Sequence, residues 1–207
     1  MSVARTARTA RTPRTVRATL LAAFAALALL LSGAATTTAS ARTAAVTGLD
    51  GAWACEVPAG YVYDQVSMNR SCSGGGSWNS PQFHLRTPVD GLTACIGAPG
   101  FVHDSISWGY SCSQQPGVTS NAYHLRVPYD GLTACVATPA FTYDRSGHDF
   151  SCSLVQGVRS NNFHLRKPVN GMWACSVPSG WTYSATASDL DCAVLPNVPT
   201  TKFRLVG

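Results

Sequence analysis

Three histidines recur at matching places in this chain. His84, His124 and His164 each sit in an aromatic-His-Leu-Arg string, so Arg86, Arg126 and Arg166 follow two residues later. An imidazole titrates near neutral pH and binds metals, which makes the three candidates for metal ligation or proton transfer. Their repetition argues the other way. One active site needs one distinguished residue, and the fourth matching position holds Arg204, whose guanidinium cannot replace an imidazole as ligand. A structural or surface role is therefore expected. Three histidines could converge only if the copies closed around an axis.

The carboxylates lead to a similar expectation. Asp64, Asp104 and Asp144 follow the aromatic strand of the first three copies, and Ser184 takes the place in the fourth. Side chains of this kind commonly bond nearby backbone amides in turns, with a calcium or sugar-hydroxyl ligand as the alternative. Glycosidase chemistry needs two carboxylates in different environments. Glu56 is the single glutamate and has no identifiable partner. Neither a Gly-x-Ser-x-Gly elbow nor a His-Glu-x-x-His motif occurs. No catalytic residue, metal ligand or cofactor is assigned, and a hydrolase with a scattered constellation is the lesser reading.

Tryptophans are the better binding candidates, because exposed rings offer flat platforms to sugars and proteins. Trp53, Trp173 and Trp181 are expected to fill core positions. Trp78, in the Gly-Ser-Asn-rich loop after Cys72, and Trp108, in the variable stretch before Cys112, are the candidate ligand-binding residues. Variation among copies is where repeat proteins build their binding faces.

What must position these residues is a repeat. Cysteines fall at 55 and 72, 95 and 112, 135 and 152, and 175 and 192, each pair 17 apart and each pair 40 after the last. Asp50-Gly51, Asp90-Gly91, Asp130-Gly131 and Asn170-Gly171 keep the same period, giving copies over about 50–89, 90–129, 130–169 and 170–207. No stretch has sustained helical periodicity, and prolines recur too often for long helices. The expectation is all-β, with three short strands per copy. The first contains Leu92-Thr93-Ala94-Cys95, the second a ring, β-branched, ring string such as Tyr61-Val62-Tyr63, and the third the Phe-His-Leu-Arg string. Pro88 followed by Asp90-Gly91 reads as a hairpin turn across the copy boundary, pairing the last strand of one copy with the first of the next. Thr43 to Thr47 would then partner copy one. A linear hairpin array, a small propeller-like toroid and paired sandwiches all fit a forty-residue unit.

Forty residues enclose little apolar surface, so a staple is needed. Pairing of Cys55 with Cys72, Cys95 with Cys112, Cys135 with Cys152 and Cys175 with Cys192 lets one local geometry serve four bridges. The inter-copy alternative would link Cys72 to Cys95 and would require a closed ring to join Cys55 to Cys192. No Cys-x-x-Cys is present, which disfavours redox chemistry and zinc.

Residues 1–41 read as a secretory signal peptide. Arg5, Arg8, Arg11, Arg14 and Arg17 precede an apolar run from Leu20 to Leu31, too short to span a bilayer, and Ala39-Ser40-Ala41 supplies a cleavage site before Arg42. Five of the fifteen basic residues lie in that segment and all ten acidic ones lie beyond it, so 42–207 carries ten of each. Near-zero charge gives no support to nucleic-acid or anionic-membrane binding. The expected function is a secreted, extracellular, non-catalytic binding module for a glycan or cell-envelope surface. The alternative is a protein-directed factor such as an enzyme inhibitor.

Overall fold

The computed structural model describes residues 48–74 and 79–207. These contain twelve strands and no helix. Copy one has β1 (Trp53–Ala54), β2 (Val62–Asn69) and β3 (Ser80–Arg86); copy two has β4 (Thr93–Ala94), β5 (Val102–Gly109) and β6 (Ser120–Arg126). Copy three has β7 (Thr133–Ala134), β8 (Thr142–Asp149) and β9 (Ser160–Arg166), and copy four has β10 (Trp173–Ala174), β11 (Thr182–Asp189) and β12 (Thr200–Val206). Each copy is one antiparallel sheet in which the third strand lies between the first and the second.

The third strand thus pairs with the first strand of its own copy, Trp53 opposite His84 and Ala54 opposite Phe83. This corrects the expected pairing across the copy boundary, and with it the reason for a partner at Thr43 to Thr47, which lie outside the described residues. The Asp-Gly signal marks a tight turn rather than a hairpin between copies. Gly91 has φ of 81° and Leu92 N–H donates back to Val89 O at 3.2 Å, so the glycine supplies the positive φ that a type II turn requires. The preceding Asp90 then reaches forward to the end of its own copy's third strand, accepting from Val127 N–H at 2.8 Å. Asp50 and Asp130 do the same for Thr87 and Lys167. Burial makes the third strand central: Leu85, Leu125, Leu165 and Leu205 are at most 1% exposed.

The second strand begins at Val62, leaving Tyr61 in the preceding turn. It carries a bulge between Tyr63 and Gln65, repeated between His103 and Ser105, Tyr143 and Arg145, and Tyr183 and Ala185. The extra residue is Asp64, Asp104, Asp144 or Ser184.

All four disulfides close within copies: Cys55–Cys72, Cys95–Cys112, Cys135–Cys152 and Cys175–Cys192. Each of the last three also docks its copy on the one before. Cys95 N–H donates to Tyr63 O at 2.7 Å, while Ser111 O, beside Cys112, accepts from Val66 N–H at 2.7 Å. Cys95 and Cys112 pack with Tyr63, Val66 and Phe83, so the bridge lies inside the junction. The same two bonds join copy two to copy three and copy three to copy four. Among the described residues no hydrogen bond returns copy four to copy one. Tyr183 of copy four and Cys55 of copy one are exposed where their counterparts Tyr63 and Cys95 are buried in a junction, so the described copies form an open array rather than a toroid.

Candidate functional site

The bulge explains what the repeated His, Asp and Arg do. An inserted residue re-aims its side chain, and here it turns Asp64 toward the third strand. Asp64 Oδ1 lies 2.6 Å from His84 Nδ1, and Asp64 Oδ2 accepts from Arg86 at 2.7 Å. His124 with Asp104 and Arg126, and His164 with Asp144 and Arg166, repeat the arrangement. Each guanidinium also lies beside the turn carboxylate, Asp50, Asp90 or Asp130. The expectation that Asp64, Asp104 and Asp144 bond backbone amides is corrected: they hold side chains, and the turn aspartates bond the amides.

Burial acts to raise the Asp144 carboxyl, but hydrogen bonds from His164 and Arg166 outweigh it and hold it below the ordinary value. Asp90 and Asp130 are lowered first by the backbone N–H groups of Val127 and Lys167, and next by Arg126 and Arg166. A carboxylate that orients an imidazole is one part of acid–base machinery. The other part is a hydroxyl or thiol on Nε2, and among the described residues none is hydrogen-bonded there. A methyl group built on Gly91 would lie 4.0 Å from His124 Nε2, so that edge faces the turn glycine. No group of three metal-ligating side chains occurs among the described residues. The three clusters brace each bulge against its third strand.

Trp108 has a different setting. It lies in β5 opposite Asn121, half-buried, and lines two hollows. One, of about 300 Å³, is polar and is shared with Asp64, Gln65, Ser107, Ser111 and Ser120. The other, of about 320 Å³, is apolar and lies where copy two meets copy three, between Ile106 and the loop bearing Phe150, Val155 and Val158. Trp78, the second ligand-binding candidate, lies outside the described residues. Of the two candidates, the described residues place Trp108 in a groove.

Trp53 and Trp173 depart from the expected core role, being 42% and 38% exposed. Trp53 leans on the His84 ring at 5.1 Å, and Lys202 Nζ stands 5.7 Å from the Trp173 ring. First strands of two residues are too short to carry both faces into a core. Trp181 is half-buried.

Sequence reasoning passed over the loop tips after the second cysteine. Leu154, Val155 and Val158 in copy three, and Leu195 and Val198 in copy four, are about half exposed, as are Phe150 and Leu190 just before the bridge. The signal was available as apolar residues standing inside turn segments, where polar ones are the norm. Comparison with protein-family models, curated proteins and solved structures finds no match.

Proposed function

We propose that the protein is an exported, non-catalytic binding module whose ligand is a glycan of an extracellular or cell-envelope surface. Four internal disulfides fit an oxidising destination. The observation that carries the ligand class is the half-buried Trp108 ring between a hollow of hydroxyls, amide and carboxylate and a hollow of apolar side chains. A pyranose has the same duality, with an apolar ring face and a rim of hydroxyls. Hollows of this size and openness hold a few sugar rings rather than a deeply enclosed substrate.

Protein expressed with its own leader is expected in the medium, starting at Arg42. Screened by affinity electrophoresis against soluble polysaccharides and cell-wall fragments, it is expected to be retarded by at least one. Trp108→Ala should weaken that retention tenfold or more while leaving the four bridges intact. Retention on none of the panel, or unchanged retention of the variant, would sink this reading.

A second reading has its own observation. The exposed Leu154, Val155, Leu195 and Val198 suit a protein partner, as in a secreted inhibitor, since such tips offer apolar anchors and no hydroxyl partners. Under it, Leu154→Lys with Leu195→Lys abolishes binding and Trp108→Ala does not.

A further inference from the structure

The array ends in two unlike faces, and each is half of the contact that already joins its copies. At every internal junction the second strand of one copy offers a carbonyl and an amide, Tyr63 O and Val66 N, His103 O and Ile106 N, and Tyr143 O and Ser146 N. The next copy meets them with its first cysteine's N–H and with the carbonyl preceding its second cysteine, at 2.7 to 2.8 Å. At the open end of copy four the matching groups are Tyr183 O and Thr186 N, to which no hydrogen bond is made among the described residues. Tyr183 is 54% exposed where Tyr63 is 7% exposed. At the other end Cys55 is exposed and Ala54 half-buried, whereas Cys95 is 7% exposed and Ala94, Ala134 and Ala174 are fully buried.

We propose that the open face of copy four receives copy one of a second chain, so that the protein associates head to tail by continuing its own internal junction. Copy four retains the hydroxyls of that junction, with Thr182 Oγ1 donating to its own Val206 O at 3.1 Å, and copy one retains the staple, with Glu56 in the place of Ser176. Thr182 and Tyr183 repeat Thr142 and Tyr143, and Thr186 keeps the hydroxyl of Ser146. Those hydroxyls bind the incoming copy at the third junction: Thr142 Oγ1 donates to Ser176 O at 2.7 Å, and Ser146 Oγ to Ala193 O at 2.7 Å. Copy one presents the same staple, Cys55–Cys72, with a Cα separation of 5.2 Å against 5.1 to 5.3 Å in the others.

The bulge in β11 recurs in β2, β5 and β8, each of which docks the next copy, so it does not block the outer edge of β11. Edge strands are commonly blunted by lysine or proline, and β11, Thr-Tyr-Ser-Ala-Thr-Ala-Ser-Asp, has neither. A contact between unlike faces is heterologous and needs no symmetry between the partners. It also orders which residues meet. Thr142 Oγ1 and Ser176 Oγ stand 3.0 Å apart at the third junction, so the matching positions between two chains are 182 and 56.

The test uses the secreted protein. Sedimentation velocity should show mass rising with concentration. Mixing a Thr182→Cys chain with a Glu56→Cys chain in a glutathione buffer should give a covalent heterodimer whose unreduced peptide map links positions 182 and 56. Thr182→Glu, which sets a like charge against Glu56, should weaken association tenfold or more, and Glu56→Lys in the same chain should restore it. A mass that stays monomeric at all concentrations, or cross-links only between like positions, overturns the proposal. Binding of glycans plays no part in these readouts.

Discussion

His103 occupies a place that is tyrosine in the other three copies, at Tyr63, Tyr143 and Tyr183. It packs against Tyr123 with ring centroids 5.0 Å apart, just as Tyr63 and Tyr143 pack against Phe83 and Phe163 at 4.8 Å. Burial lowers its pKa from the ordinary 6.5, with the charge of Asp104 opposing it. The folded chain thus favours the neutral ring, and the unfolded chain takes up the proton more readily. Stability rises with pH wherever the unfolded state binds more protons, so this contribution is whole above the ordinary value and is lost as pH falls through it. The expected outcome is a melting temperature that drops between about pH 7.5 and pH 5.5 in the native protein and drops less in His103→Tyr. An identical pH slope in the variant would contradict this account.

At the scale of elements, the disulfides have two separable effects. Closing a loop of 17 residues restricts the unfolded chain by roughly 3 kcal/mol, and that term is the same for all four bridges. The second effect differs from bridge to bridge. Cys95–Cys112 holds together the N–H and carbonyl that dock on β2 and buries its sulfurs against Tyr63, whereas Cys55 is exposed. Replacing Cys55 and Cys72 by alanine should therefore cost about 3 kcal/mol in urea unfolding, and replacing Cys95 and Cys112 should cost clearly more. Equal costs for the two pairs would show that the junction gains nothing from the bridge.

At the scale of the molecule, the strand contacts between copies among the described residues join neighbours, β2 with β4, β5 with β7 and β8 with β10, so stability is a sum of copy and junction terms, and the ends are weaker than the middle. The amides of Ile106 and Ser146 are bonded across junctions, and that of Thr186 faces the open end. In native-state hydrogen exchange at dilutions where the chain is monomeric, Thr186 should exchange at least a hundredfold faster than Ile106. Comparable protection would mean that the last copy is capped in a way its outer face does not account for. The two Trp108 hollows lie where copy two meets copy one and copy three, away from the open face of copy four, which suits the proposed site.

The sequence by itself determined the repeat and its all-β character and favoured pairing of cysteines within copies, because one period and one 17-residue loop recur along the chain, while the choice against Cys72 to Cys95 came with the structure. It also put His and Arg on one face of the third strand, since alternation in a strand is local. Which strand lies beside which was decided only by the tertiary structure. Asp90-Gly91 reads as a hairpin from its residues alone, but its carboxylate is satisfied by Val127 N–H and Arg126, 37 and 36 residues away, which draws the turn onto its own copy. The partners of Asp64 depended on a bulge, which has no signature in this string until the register of β2 and β3 is known. The openness of the array was likewise invisible, because four near-identical copies fit a ring or a line equally well, and which of them forms depends on packing across the junctions, as where Cys95, Cys112 and Ile96 meet Tyr63 and Phe83.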